Sequence, residues 1–278
     1  MLKDFNGETF VAFVDISGFK KILCKDEEKA KEILGSFYSI GYRELKNFNP
    51  TNYSKCYSLN GIFVSDCGII YVSFCKGYRY IDEPAKKKNV LKAALADLLL
   101  CLKNMCRSFL EKRELLSVGV YYGNFVYQNR LEHERIDKNF IYGEGYLKAF
   151  ELCEKYAVGG EFICNISGSG INLFNNCKNS NFRNKDGLIV KKINESERLK
   201  DCFRVYWMLD EDDSEKIREI DKYYTELHQL RVGNKERNSG QVSQDGENKE
   251  TKDMDQIYVN FKDGLYKLLY GNNNSNKQ

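Results

Sequence analysis

Phe10-Val11-Ala12-Phe13-Val14-Asp15-Ile16-Ser17-Gly18-Phe19 is the stretch on which the fold turns. A short apolar run suits a central strand, a carboxylate stands at its end, and a glycine turn leads into helical periodicity. Beyond it Ile22, Leu23, Ala30, Ile33, Leu34, Phe37 and Ile40 recur near helical spacing and predict one helix from about 19 to 45. Residues 60–64 and 68–74 read as two strands joined by the short hairpin Ser65-Asp66-Cys67. Pro84 suits the first turn of a helix. From 90 to 110, Leu91, Leu95, Leu98, Leu99, Leu102, Met105 and Phe109 make a strong amphipathic helix.

A strand over 116–122 follows, with Gly123 as a turn and 125–128 as its continuation or hairpin partner. Residues 140–142 precede Gly143, a helix is expected over 145–156, and strands are expected at 161–165, 188–193 and 203–209. The order β-α-β-β-α-β, then a helix and further strands, predicts an elaborated ferredoxin-like α+β domain over 1–212. A helix is assigned to 213–232. Residues 233–254 are rich in Gly, Asn, Ser, Gln, Glu and Lys and read as a disordered linker. Within 255–278, Ile257, Val259, Phe261, Leu265, Leu268 and Leu269 suggest a short C-terminal helix before a frayed tail. That helix is expected to dock on its own domain or on a partner subunit.

The composition is that of an ordinary soluble domain, with 42% hydrophobic and 30% charged residues in 278. The balance of 43 basic against 40 acidic residues, with Lys86-Lys87-Lys88 as the densest cluster at a helix start, predicts no nucleic-acid partner. No apolar stretch is long enough to cross a bilayer and the first residues lack a signal pattern, so a cytoplasmic protein without a membrane partner is expected. Ten cysteines include no Cys-x-x-Cys, and with only His133 and His228 beside them they read as reduced core residues rather than a zinc site.

Asp15 and Asp66 are the candidate chemistry. An Asp after a strand also serves as a helix N-cap, and an Asp in a hairpin is ordinary turn chemistry. Their joint placement at the ends of central strands favours a site for divalent cations, Mn²⁺ or Mg²⁺, with phosphates completing the metal shell. Ser17, Gly18 and Phe19 would turn backbone N–H groups toward phosphate.

The chain resembles the class III nucleotidyl cyclases. The resemblance rests on the Asp15-Ile16-Ser17-Gly18-Phe19 strand and turn, on Phe63-Val64-Ser65-Asp66-Cys67, and on Leu116-Ser117-Val118-Gly119-Val120-Tyr121-Tyr122-Gly123. It continues through Tyr142-Gly143-x5-Ala149-x-Glu151-Leu152 and Gly160-Glu161-Phe162-Ile163, in family order over about 8 to 210. It implies a head-to-tail homodimer with nucleotide between protomers. It implies two ions on Asp15, Asp66 and the Ile16 carbonyl, and production of a 3′,5′-cyclic nucleotide with pyrophosphate.

The departures are informative. Where the family reads a purine edge this chain has Ile62 and Phe140, and where it carries an Asn and then an Arg this chain has Leu147 and Glu151. Lys148, Lys191, Lys192, Arg130, Arg135 and Arg183 are the candidate replacement cations, each of which also reads as a solvated surface charge, with Lys192 at a phosphate-binding position of the family. Asn60 shares a strand face with Ile62 and would bond a pyrimidine edge on which Phe140 stacks, although Asn60-Gly61 also reads as a turn. This combination resembles the pyrimidine cyclases of the Pycsar antiphage systems and implies UTP or CTP as substrate. The alternatives are an adenylate or guanylate cyclase, and a degenerate cyclase-homology module that binds nucleotide or a partner without turnover.

Overall fold

A computed structural model of the chain describes residues 3–48, 53, 56–75, 78, 81–133, 136–171, 181–183, 187–193, 199–238 and 244–270. Strand β1 (Phe5–Ile16) is followed by helices α1 (Phe19–Lys25) and α2 (Glu27–Asn47), then by β2 (Tyr57–Val64) and β3 (Cys67–Phe74). Helix α3 (Pro84–Leu110) leads to β4 (Leu116–His133), β5 (Ile136–Tyr142) and helix α4 (Glu144–Glu151), which continues as a π-helical turn over Leu152–Tyr156. Strands β6 (Phe162–Asn165), β7 (Asn181–Arg183), β8 (Ile189–Lys192) and β9 (Cys202–Val205) precede helices α5 (Ser214–Asn238) and α6 (Gln244–Tyr270).

The sheet runs β2-β3-β1-β4-β6-β9-β8-β7, with β5 paired to β4. β4 and β6 are parallel; the other pairs are antiparallel. Its first four strands, β2-β3-β1-β4, have the ferredoxin-like order, and the protein is α+β as the sequence predicts.

β1 is apolar without alternation because both its faces are covered. Phe10, Ala12, Val14 and Ile16 enter the large core that also holds Phe37, Leu95, Leu98 and Leu102 of α2 and α3. Val11 and Phe13 enter a smaller core with Ile69, Tyr71, Phe125, Ala149 and Cys153. Asp15 continues this second alternation, so the strand that builds both cores carries a carboxylate to the α4 side of the sheet.

Several boundaries differ from the expectation. The single helix of 19–45 is broken at Asp26, whose extended backbone and side chain, accepting from the Lys29 amide at 2.9 Å, cap α2. Gly123 is inside β4, paired with Thr9. A Cβ there would sit 3.1 Å from the Gly145 amide, so this glycine admits the start of α4 instead of making a turn. The segment read as a disordered linker is helical over 233–238 and 244–254. Ser, Glu, Lys and Gln are tolerated in helices, so polar composition alone does not separate helix from coil.

α5 is fastened to the sheet by a charge network. Arg204 on β9, 3% exposed, bonds the fully buried Glu161 at 2.8 Å and also pairs with Asp221 of α5. Asp221 further receives Lys191 and the Tyr206 hydroxyl, each at 2.6 Å, and His228 meets Glu161 at 2.9 Å. Burial opposes the charge on Asp221, but the Lys191 and Tyr206 bonds and the Arg204 charge outweigh it and hold the carboxyl below its usual range. Asp221→Asn is expected to cost about 3 kcal/mol in urea denaturation at pH 7, because Arg204 and Lys191 lose a buried partner. A lowered folded pKa stabilises above the unfolded value and ceases to do so as pH falls through the folded one. The difference between wild type and variant therefore shrinks below about pH 4.

Candidate active site

The ladder places the two predicted aspartates side by side. Asp15 stands opposite Cys67 of β3 and Ser117 of β4. Val64 pairs with Cys67, which makes Ser65-Asp66 a two-residue loop, with Ser65 at φ 54°. The Ile16 amide donates to the Asp66 carbonyl at 3.1 Å and locks this hairpin against the end of β1.

The Asp15 carboxyl is pushed up to about 8, first by burial and then by the charges of Glu154 and Asp66. Burial also raises Glu154, with Arg231 opposing the shift and Asp66 adding to it. The neighbouring Cys67 thiol is pushed up to about 11 by burial, Asp66 and Asp15. Among the described residues no Lys or Arg forms a salt bridge with Asp15. Carboxylates crowded in a half-buried place, with Arg231 offsetting the charge on Glu154, are a setting that a divalent ion would relieve.

Among the described residues no three His, Cys, Asp or Glu side chains close on one point. The donors that the sequence analysis offers to a metal, Asp15, Asp66 and the Ile16 carbonyl, are hard oxygens and would make an open set. Magnesium and manganese accept it when water and phosphate oxygens fill the remaining positions.

Glu154 was not legible in the sequence. It lies in the π-helical turn, where the Ala157 amide bonds the Leu152 carbonyl five residues back. The extra residue in that turn rotates Glu154 out of the phase that counting at 3.6 residues assigns. The turn can press on the sheet because position 119 is glycine. A Cβ there would lie 2.2 Å from the Ala149 carbonyl oxygen and 2.5 Å from the Cys153 amide. Cys153, buried, donates to the Ser117 carbonyl at 3.3 Å beside Asp15.

The expected phosphate turn divides. Gly18 adopts the left-handed conformation (φ 76°, ψ 14°) and nothing lies within 4 Å of the Cβ it lacks. The Lys21 and Ile22 amides return to its carbonyl, which leaves the Phe19 and Lys20 amides at the open end of α1. Phe19 itself is buried. Ser17 does not fit the role, because its polar groups are engaged inside the protein. Its amide donates to Leu115 at 3.0 Å, its hydroxyl meets Ser117 at 2.7 Å, and its carbonyl accepts from Tyr258 of α6 at 3.2 Å.

Lys192 is exposed at the end of β8, four strand steps from β1 and so roughly 19 Å away at the usual strand spacing. One protomer does not bring it to Asp15. Lys191 is occupied by Asp221 at 2.6 Å. Lys148 and Lys155 each bond Glu151 at 2.9 Å and hold its carboxyl down to about 2, while Leu147 is exposed. The side chains of Arg130, Arg135 and Arg183 lie outside the described residues.

Of the base-pocket candidates, Asn60 and Ile62 share a face of the outer strand β2. Their partners Tyr71 and Ile69 belong to the second core, against which Ile62 packs. The Asn60 amide donates to Ser58 at 3.4 Å. Phe140 is on β5, past the other side of β1, exposed and 4.8 Å ring to ring from Tyr142. Its neighbour Ile141 joins the core of Ile62 instead, because alternate strand residues face opposite ways. Phe140 and Ile62 therefore do not form one pocket within a protomer.

A cavity of about 700 Å³ opens beside Asp15, bounded by Ser17, Gly18, Lys21, Lys25, Glu154, Gly159, Arg231, Tyr258 and Lys262, among others. Arg231 and the α6 residues were missed as site residues, because nothing in their local pattern links them to a strand more than 200 positions earlier.

No protein-family model matches the sequence, and no curated protein matches it. Solved structures do. The adenylyl cyclase CyaB from P. aeruginosa is 16% identical, with 77% of this chain and 98% of that one covered at a TM-score of 0.45. The guanylyl cyclase Cya2 is 11% identical over 73% and 92% of the two chains at 0.41. The dimeric guanylyl cyclase domain of the RhoGC fusion protein from the aquatic fungus Blastocladiella emersonii is 12% identical over 73% and 97% at 0.43. At such distances function has to come from the chain's own site.

Proposed function

We propose that the protein is a class III nucleotidyl cyclase that converts UTP or CTP to the 3′,5′-cyclic monophosphate and pyrophosphate. The carrying observation is the Asp15–Asp66 pair, fixed by the Ile16–Asp66 backbone bond and crowded further by the charge of Glu154. In the reaction the ribose 3′-oxygen forms a bond to the α-phosphorus, its proton leaves, and the bond to pyrophosphate breaks.

Divalent ions, when bound, would acidify the 3′-hydroxyl and neutralise the departing pyrophosphate. Asp15 and Asp66, with the Ile16 carbonyl, would hold them. The Gly18 turn would offer the Phe19 and Lys20 amides to phosphate oxygens. α4 and its π-helical turn would keep water from the α4 side of Asp15. Apolar Ile62 and Phe140, at the positions where the family reads a purine, cannot bond a purine's polar edge, and it is the sequence resemblance that supplies the pyrimidine.

A homodimer suits this reading. Phe140, Tyr142, Leu147 and Phe150 are exposed apolar side chains near the Gly143 turn. Lys192, remote from Asp15 in one protomer, would reach the site from the mate. Among the described residues no helix is long and apolar enough to cross a membrane. We place the activity in the cytoplasm, as the signal-generating enzyme of a Pycsar-type antiviral system, on the strength of the sequence resemblance.

Purified protein incubated with Mn²⁺ and each of the four nucleoside triphosphates is expected to yield cyclic UMP or cyclic CMP, at least tenfold above either purine product. Cyclic AMP or cyclic GMP alone would make it a purine cyclase. One observation favours a silent nucleotide-binding module: Glu151, where the family has Arg, is held by two lysines of its own helix. Absence of any cyclic product together with Mn²⁺-dependent nucleotide binding would establish that reading.

A further inference from the structure

We propose that the cavity beside Asp15 is a polyphosphate site and that Arg231 of α5 is its guanidinium, supplied by the same protomer as the metal-binding carboxylates. This rests on, and deepens, the reading of Asp15 as the metal side of a triphosphate site.

The charges lining the cavity divide in two. Glu114 and Asp26 already have internal partners: Lys262 meets Glu114 at 3.3 Å, and Asp26 accepts the Lys29 amide as the cap of α2. Asp15 and Glu154 remain as the acidic end, beside the Gly18 turn. Arg231, on the wall formed by the C-terminal helices, stands beside Glu154 and offsets its charge, and Lys21 and Lys25 also line the cavity.

Arg231 is held in place from behind. Its Nη1 donates to the Ala157 carbonyl at 3.0 Å and its Nη2 to the Glu154 carbonyl. A guanidinium carries five N–H donors in a fixed fork, so these two bonds anchor it and leave donors for a ligand. Both anchors belong to the segment that carries Glu154, so Arg231 and the carboxylates are fixed relative to one another. A preset cation facing a metal-bound phosphate chain stabilises charge without reorganisation during the reaction. At about 700 Å³ the cavity has the size of a small-molecule site and room for a triphosphate. α6 closes it from outside through Tyr258, Val259 and Lys262.

The test uses inorganic tripolyphosphate with Mn²⁺ on the full chain, followed by calorimetry. Wild type is expected to bind. Arg231→Gln is expected to bind on the order of tenfold more weakly or worse, as loss of a charge-assisted pair implies, and Arg231→Lys to bind in between. Val259→Trp, at an exposed position on the rim, is expected to block binding by filling the mouth, and serves if the arginine variants do not fold. Wild-type affinity in folded Arg231→Gln or Val259→Trp, or no binding by wild type, would overturn the site.

Mixing Asp15→Asn with Arg231→Gln protein settles the assignment to one protomer. No activity above the separate variants is expected, and recovery toward about a quarter of wild type, the share of intact sites that random 1:1 pairing restores, would show that the arginine acts across the dimer. Turnover by wild type together with unaffected variants would defeat this inference alone. Arg231-dependent tripolyphosphate binding without any cyclic product would defeat the cyclase reading alone.

Discussion

Asp15→Asn is expected to lower nucleotide cyclisation by on the order of 10³-fold or more while the domain stays folded. Loss of metal-centred charge stabilisation is worth several kcal/mol of barrier. The structural cost is small, because the carboxylate forms no salt bridge among the described residues and is crowded by Glu154 and Asp66. Asparagine keeps the shape and removes the repulsion. The metal-free variant is therefore expected to melt no lower than wild type.

Two readouts separate this from a folding defect. Saturating Mn²⁺ should raise the melting temperature of wild type, since an ion at 100 times its dissociation constant adds about 2.7 kcal/mol, and should leave Asp15→Asn unmoved. Product formation by Asp15→Asn at wild-type rate would remove the carboxylate pair from the chemistry.

Gly119→Ala is expected to be strongly disruptive for a single methyl group. The added carbon would meet two backbone atoms, the Ala149 oxygen at 2.2 Å and the Cys153 amide at 2.5 Å, neither of which can swing aside. α4 and its π-helical turn would have to lift off β4. Overpacking of this kind costs typically 1–3 kcal/mol, and contact with backbone places it at about 3. The same lift moves Glu154 and the anchors of Arg231, so turnover should fall further than stability accounts for. Urea denaturation and a steady-state assay on one preparation would check both, and a variant with wild-type stability would show that α4 does not press on the sheet here.

Much of the fold was legible because the early elements obey simple periods. The apolar run of β1, the two-residue hairpin around Asp66 and the leucine stripe of α3 each fix an element with local information. The pairing of Asp15 with the Asp66 loop was legible too, since both end central strands. What the residues did not disclose was set by geometry over long distances or by irregular backbone. Asp26 broke a helix whose apolar stripe runs on. Glu154 is turned by a π-helical turn that no count at 3.6 residues anticipates. Ser17 looked available to phosphate until Leu115, Ser117 and Tyr258 were found to occupy it. Phe140 and Ile62 were read as one pocket, but strand alternation sends them to different sides.

The bond from Tyr258 to the Ser17 carbonyl joins positions 241 residues apart. On the ribosome, the Ser17–Gly18 turn emerges early, while the helix that shuts the outer wall of the cavity beside it is synthesised after every other described element. A growing chain thus carries both carboxylates in an unfinished vessel. Closure of the cavity beside Asp15 therefore waits for the last described helix to emerge and fold back.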